Sequence, residues 1–332
     1  MGRIGEAIFE ARGGKQFRHA LLRIEAKFYV SSLAILPRMY HNRLVREDGY
    51  MYLASGWKDY EVLDAGGGEK LERWGDVVLR RPDPQAIWAV QAPEMWNKAD
   101  AVYHRSKAGG GEWEFRRKLP ERWQVSYGGN AFYVRPTGFK HTGLFPEQAV
   151  NWDWMAERIR QAKGEVRVLN LFGYTGGATL ACARAGAKVT HVDAAKGIMQ
   201  WAGENYRLSQ LDSTRVRWLV DDAFKFVARE LRRGNRYEGI LMDPPSYGRG
   251  PGGEVWKLED GLYSLIESCS QLLSDRAVFF LVNSYTTGLQ PAVLYNMLLM
   301  TAGGKVEADE IGLPIRSGGV LPCGASGRCI PC

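Results

Sequence analysis

The chain has 332 residues, 45% of them hydrophobic and 24% charged, with a formal net charge of +7. Those are the proportions of an ordinary globular protein long enough for two domains, and no apolar run approaches the roughly 20 residues that cross a bilayer as a helix. Five cysteines are too few and too scattered for a secreted disulfide framework, which points to a reduced, cytoplasmic protein without a membrane anchor.

Residues 1–55 read as a basic extension with no clear core pattern, a candidate for disorder. Glu6, Glu10, Glu25, Glu47 and Asp48 argue against a transit peptide there. Residues 56–140 switch to short β-like runs divided by Gly66-Gly67-Gly68, Pro82-Asp83-Pro84, Gly109-Gly110-Gly111 and Gly128-Gly129-Asn130, and form a small β-rich domain. The last of these breaks, between 123–127 and 131–134, reads as a hairpin loop. Across 96–140 the cations Lys98, Arg105, Lys107, Arg116, Arg117, Lys118, Arg122, Arg135 and Lys140 alternate with Trp96, Trp113, Trp123, Tyr127, Phe132 and Tyr133. Such a mixture suits single-stranded or looped RNA, held by phosphate charge and base stacking. It suits equally a sheet with a wet charged face and an aromatic core.

Beyond residue 140 strands and helices alternate, which predicts an α/β domain over 141–332 with a mostly parallel, Rossmann-like sheet. Strands are expected at 166–170, 188–193, 216–220, 237–242 and 277–283. Helices are expected at 177–185, 195–209, up to 233, 257–274 and 291–302. Strands at 305–311 and 326–330 would bring the sheet to seven. Cys182 and Cys269 fall in these helices as core thiols. Cys323, Cys329 and Cys332 lack the fourth ligand of a structural zinc site, so no metal is expected.

Two strand ends carry the chemistry. In an open α/β sheet, ligands lie beyond the carboxyl ends of the strands. After the first strand comes Asn170-Leu171-Phe172-Gly173-Tyr174-Thr175-Gly176-Gly177, a turn whose glycines let backbone approach a ligand closely. A dinucleotide fingerprint would place a second glycine where Thr175 stands, so no diphosphate cradle is implied; a cofactor without a diphosphate, such as S-adenosyl-L-methionine, fits. Asp193 ends the second strand, where an acidic residue can accept from ribose hydroxyls. Asp222, followed by Ala223 and Phe224, could accept from an adenine amino group, with Phe224 beside the ring. Either aspartate could instead be a helix N-cap. Downstream, Asp243-Pro244-Pro245-Ser246-Tyr247 ends the fourth strand: Asp243 could accept from an amino group, the prolines would hold the backbone, and Tyr247 could stack on a base.

The segments 170–180, 191–196 (His-Val-Asp-Ala-Ala-Lys), 221–224 and 243–247 together resemble the class I S-adenosylmethionine-dependent methyltransferases that modify 23S ribosomal RNA, notably the bacterial group of large-subunit cytosine-C5 and guanine-N7 enzymes. The likeness spans roughly 60–330 and takes in His141-Thr142-Gly143-Leu144-Phe145-Pro146-Glu147-Gln148, by which Phe145 and Gln148 would border the cofactor; Pro146-Glu147 departs from the pattern. It implies that 56–140 recognises substrate and that 141–332 binds the cofactor and catalyses, with RNA, 23S rRNA foremost, as partner. The oligomeric state stays open, a homodimer included. Carbon-5 of a pyrimidine needs a cysteine nucleophile, which those relatives carry after the fifth strand. Leu281-Val282-Asn283-Ser284-Tyr285 has none, and Cys323 would substitute only if the tail covered the cleft, so a base nitrogen is the expected acceptor. The glycine-rich 248–256 reads as a mobile lid or substrate clamp, with Arg249 on phosphate and Trp256 as a stacker, or else as an ordinary surface loop. The alternatives are a methyltransferase for a protein side chain or small molecule, a nicotinamide-dependent oxidoreductase, and a non-catalytic RNA-binding protein on the same fold.

Overall fold

The structure, a computed structural model, describes residues 51–332 apart from 107–109, 139, 250–252, 254, 286 and 287, together with the strand backbone at 43–46 and 49–50. Most of the basic extension thus lies outside the described residues. Its last part does not behave as an appendage: β1 (Arg43–Arg46) and β2 (Gly49–Leu53) form an antiparallel pair at the edge of the main sheet. The apolar Met51-Tyr52-Leu53 is buried there, the physical reason this stretch joins the fold.

A five-stranded sheet follows, built from β3 (Tyr60–Gly66), β4 (Glu69–Trp74), β5 (Val77–Pro82), β6 (Ala101–Arg105) and β7 (Gly111–Phe115) in that order. Tyr60, Leu71, Trp74 and Leu79 are fully buried along it. β8 (Trp123–Tyr127) and β9 (Asn130–Val134) make a separate hairpin in which Tyr127 faces Asn130. Its two-residue loop, Gly128-Gly129, has φ of 56° and 81°, the positive values that only glycine adopts readily and that match the strand twist of a tight hairpin.

The main sheet is fed by α1 (Ala149–Gln161), β10 (Arg167–Leu171), α2 (Gly177–Arg184), β11 (Lys188–Asp193), α3 (Lys196–Leu208), β12 (Val216–Val220), α4 (Ala223–Arg233) and β13 (Gly239–Met242). Then come the short β14 (Tyr247–Arg249) and β15 (Val255–Lys257), α5 (Leu258–Ser270), β16 (Phe279–Ser284), α6 (Pro291–Thr301), β17 (Lys305–Pro314) and β18 (Val320–Ile330). The seven strands of the expected sheet stand in the order β17-β18-β16-β13-β10-β11-β12, extended to nine by β2 and β1. β10 to β13 and β16 are mutually parallel, while β18 runs antiparallel to both neighbours. Every residue of β13 and β16 is buried, as expected of parallel strands covered on both faces. Alternate residues serve opposite cores: Val168, Leu241 and Leu281 pack with Trp152, Met155 and Leu180, and Leu169, Ile240 and Phe280 with Phe226, Leu265 and Leu294.

This order sets the site. The chain proceeds from β10 outward through β11 and β12 on one side, then returns to β13 and β16 on the other. The direction of winding reverses between β10 and β13, and at that switch a crevice opens at the carboxyl ends of the strands.

Candidate active site

The turn after β10 forms one wall of the crevice. Phe172 and Tyr174 have φ of 58° and 49°, left-handed values that cost a side-chain-bearing residue on the order of 1–3 kcal/mol and persist only where the surroundings enforce them. Here Gly173 N–H donates to Val192 O at 3.0 Å and Tyr174 N–H to Asp193 Oδ2 at 2.9 Å. The other oxygen of Asp193 accepts from Ala195 N at 2.9 Å, so one carboxylate ties the ends of β10 and β11 together. Burial pushes its carboxyl up from the ordinary range, against those two amides. Beneath the turn, Asn170 Nδ2 donates to Thr179 Oγ1, and Thr179 Oγ1 shares a 2.8 Å bond with His191 Nδ1. His191 Nε2 has no partner among the described residues, and burial holds the ring neutral with its pKa pushed down to about 3. A Cβ on Gly173 would lie 2.3 Å from His191 Cε1, so the ring demands glycine above it. Thr175 turns its hydroxyl away to Gly143 O at 2.5 Å, which anchors the segment leading to Phe145.

The opposite wall is the end of β13. Asp243 and the turn line one cavity with Phe145, Gln148, Asn170, Phe172, Gly173, Tyr174 and Thr175. Asn151, Trp152, Met155 and Asn283, none of them expected from the sequence, also line it. Burial, with the Glu147 carboxyl adding to it, pushes Asp243 up to about 7. Glu147 is itself raised by burial, against the pull of Lys70. The enclosed space is about 50 Å³, far below the roughly 300–1,000 Å³ of a site for a whole drug-sized ligand. Most of any such ligand must therefore lie along the open strand ends.

The other expected site residues stand around this cavity without lining it. Gly176, with φ of 91°, caps α2. Asp222 is the N-cap of α4, its Oδ1 accepting from Lys225 N at 2.9 Å; the capping alternative is realised. Ala223 is buried at the start of α4. Pro244 is buried, Pro245 exposed, and Tyr247 stands exposed at the rim.

Trp256 requires correction. Its indole donates to Pro245 O at 2.5 Å and packs 5.4 Å from Phe172 and 5.7 Å from Phe224. It is a tie that holds the β14–β15 hairpin to the proline turn, not a free stacking platform, and part of the expected lid is regular antiparallel strand. The Arg249 side chain lies outside the described residues. Cys323 is buried and directs its thiol to Leu321 O; burial, then the nearby Glu147, drives its pKa far above the usual thiol range, the reverse of a nucleophile. In the basic-aromatic region Trp96 and Phe132 are buried core, and Trp123 Nε1 is bound to Trp74 O. Arg122 over Tyr133 at 3.9 Å and Arg135 over Trp201 at 4.6 Å form cation–π pairs beside a common groove. Among the described residues no helix is long and apolar enough to cross a membrane, and no three His, Cys, Asp or Glu side chains converge as metal ligands.

Comparison with known proteins agrees with this geometry. Residues 82–262 match the S-adenosylmethionine-dependent methyltransferase family. The crystal structure of a SAM-dependent methyltransferase from Agrobacterium tumefaciens superimposes with a TM-score of 0.82 at 38% identity, covering 86% of this chain and 94% of that one. Ribosomal RNA large subunit methyltransferase K of Neisseria meningitidis is 25% identical over 52% of this chain and 48% of its own. The K/L methyltransferase of Legionella pneumophila is 27% identical over 75% of this chain and 34% of its own. The chain thus spans half or less of the length of these curated relatives.

Proposed function

As the chain belongs to the S-adenosylmethionine-dependent methyltransferase family, we propose that it methylates a base nitrogen of RNA, with large-subunit ribosomal RNA as the substrate class and the cytoplasm as its location. One observation carries the reading: the half-buried carboxyl of Asp243, pushed up to about 7 by desolvation and by Glu147, lines one cavity with the positive-φ glycine turn at the strand switch.

The residues fit the family's cofactor. Asp193 and Asp222 offer carboxylate oxygens for hydroxyl and amino groups, Phe172 and Phe224 offer apolar faces, and Gln148 offers an amide in the enclosed part. The turn offers no diphosphate cradle and the cofactor requires none. When bound, S-adenosylmethionine supplies a methyl group activated on a sulfonium. The chain's own task is then orientation, worth several kcal/mol in a two-reactant step, and proton management. Asp243 as carboxylate accepts a hydrogen bond from the attacking nitrogen and takes its proton, Pro244-Pro245 fix the direction of that carboxylate, and Tyr247 at the rim is placed to stack on a base. A nitrogen acceptor, rather than carbon-5, is supported by the buried, un-ionised Cys323 and by asparagine at position 283, near where carbon-5 chemistry would need a thiolate. RNA is supported by the printed activities of the curated relatives and by the cation–π groove at Arg122 and Arg135.

Nucleoside mass spectrometry of ribosomal RNA from a deletion strain tests this. Loss of one N-methylated base, restored by the wild-type chain and not by Asp243→Asn, is the expected result. Loss of 5-methylcytosine would overturn the nitrogen assignment, and unaltered ribosomal RNA would overturn the substrate class.

A further inference from the structure

A chain of side-chain amides, Asn151 and Asn283 buried and Gln148 half-buried, forms one wall of the cavity. Gln148 Oε1 accepts from Asn151 Nδ2 at 2.9 Å and from Asn283 Nδ2 at 2.8 Å. Asn151 Nδ2 also donates to Asn283 Oδ1 at 3.0 Å. Behind them Arg328 gives Nε and Nη2 to Asn151 Oδ1 at 2.9 and 2.6 Å, and Ser326 Oγ approaches the same oxygen at 3.3 Å. The register of β16 with β18 sets Ser326 opposite Asn283 and Arg328 opposite Leu281, so period-two alternation delivers both donors to one sheet face.

An amide has a donor end and an acceptor end of nearly equal shape, so a chain of amides alone could run in either sense. A guanidinium has donors only. Arg328 therefore obliges Asn151 to turn its oxygen backward and its nitrogen forward. Gln148 must then present Oε1 to the two asparagines, which fills both lone pairs. Nε2 of Gln148 is left as the output of the chain, without a partner among the described residues, on a side chain that lines the cavity. Arg328 cannot easily swing aside: it is 6% exposed, its guanidinium lies 3.7 Å from the Tyr52 ring and 5.2 Å from that of Trp154, and it donates to Val150 O.

We propose that Arg328 is a positioning residue that fixes the sense of the Gln148–Asn151–Asn283 amides, so that Gln148 presents an N–H donor to the carboxylate of the amino-acid end of S-adenosylmethionine. Asp193, Asp222 and Phe224, the groups offered to the ribose and adenine, do not line the cavity. The part that enters is thus the amino-acid end, and its oxygen acceptors are those of the carboxylate. The proposal rests on the reading that the cofactor occupies this cavity.

Two probes separate the claims: S-adenosylhomocysteine, which carries the amino-acid end, and 5′-methylthioadenosine, which keeps the nucleoside and thioether but lacks it. Both are titrated calorimetrically into the full chain. Gln148→Glu, which replaces the donor with an acceptor, is expected to weaken S-adenosylhomocysteine about 10-fold or more and to leave 5′-methylthioadenosine within about threefold. Arg328→Gln, able to donate or accept, should show the same selective loss, and Arg328→Lys, a donor only, should stay near wild type. Equal losses for the two ligands, or Arg328→Lys as poor as Arg328→Gln, would overturn the positioning role. Unchanged S-adenosylhomocysteine affinity in Gln148→Glu, with a raised KM for RNA, would move the acceptor to the substrate and overturn it as well. If Arg328→Gln does not fold, Asn283→Asp carries the same prediction, since it sets an acceptor where Nδ2 now donates to Gln148. A wild-type chain that binds neither probe would instead remove the cavity reading itself.

Discussion

A carboxyl group poised near pH 7 is half ionised where most enzymes work, and burial at the end of β13 puts Asp243 in that position. Its proton-accepting form grows as pH rises, so kcat should climb between pH 6 and 8 and level off above. Asp243→Asn should lower kcat by about 10²–10⁴, the usual worth of a positioned acid or base, and flatten that profile. Stability moves the other way. The folded pKa stands above the unfolded value of about 3.9, so the stabilisation is complete below that value and is lost as pH rises through about 7. Asp243→Asn should match wild type near pH 3.5 and melt on the order of 2–4 °C higher at pH 8. Thermal unfolding at the two pH values, beside kcat against pH, checks both signs. A second residue-scale test concerns His191 beneath the turn. Gly173→Ala should weaken S-adenosylhomocysteine binding about 5-fold or more, since overpacking costs about 1–3 kcal/mol. His191→Ala in the same chain, which vacates the space, should recover part of it by calorimetry.

At the scale of elements, the β14–β15 hairpin hangs from one indole. Trp256→Phe keeps the ring contacts to Phe172 and Phe224 but removes the bond to Pro245 O, a net loss of about 1 kcal/mol. Hydrogen exchange over 247–257 should speed up severalfold while the core strands hold their protection; unaltered exchange would deny the tie. The same hairpin shows where sequence reading stops. Glycine and proline at 248–253 masked two three-residue strands, because local composition reports flexibility and says nothing of a tryptophan that folds back. Pro322 and Gly324 likewise hid the first half of β18, where only β17 pairs with it and a missing N–H toward β16 leaves no ladder bond unmade. The interior parallel strands were legible to within a residue or two, since continuous apolar runs between turn residues have few other readings. At the site, the residues of the glycine turn and Asp243, which line the cavity, stand in motifs that a sequence displays. Asn151, Asn283 and Arg328 do not, because a buried polar network leaves no period in the sequence and its members lie far apart along the chain.

For the whole molecule, the question is how the five-stranded sheet is coupled to the cavity, and Arg81 on β5 supplies the link. Its Nε and Nη2 grip the Glu72 carboxylate at 2.8 and 2.6 Å, while Nη1 donates at 2.5 Å to the carbonyl of Lys140. Three residues on, Gly143 O holds Thr175 of the glycine turn, and Phe145 packs 5.1 Å from Tyr174. Tyr60 and Trp74 complete the shell around Glu72. Burial alone would raise this carboxyl, but Arg81 and Lys70 outweigh it and hold it down at about 2. Its contribution to stability is therefore present above the unfolded value near 4.3 and lost as pH falls through about 2. Removing one member of a buried pair strands the other, so Arg81→Met should cost about 3–5 kcal/mol near neutrality, whereas Arg81→Met with Glu72→Gln should recover part of that, since the amide removes the stranded charge yet keeps an acceptor for the Tyr60 hydroxyl and the Trp74 indole. The two variants thereby separate stability from coupling. If the guanidinium serves only the core, the double variant should bind S-adenosylhomocysteine as wild type does. If it also steadies the segment over 140–145, the double variant should melt above Arg81→Met yet bind more weakly than wild type, because the carbonyl of Lys140 has lost its donor in either case. Denaturant unfolding and calorimetry on the same three proteins distinguish these outcomes, and the bond to Lys140 predicts the second.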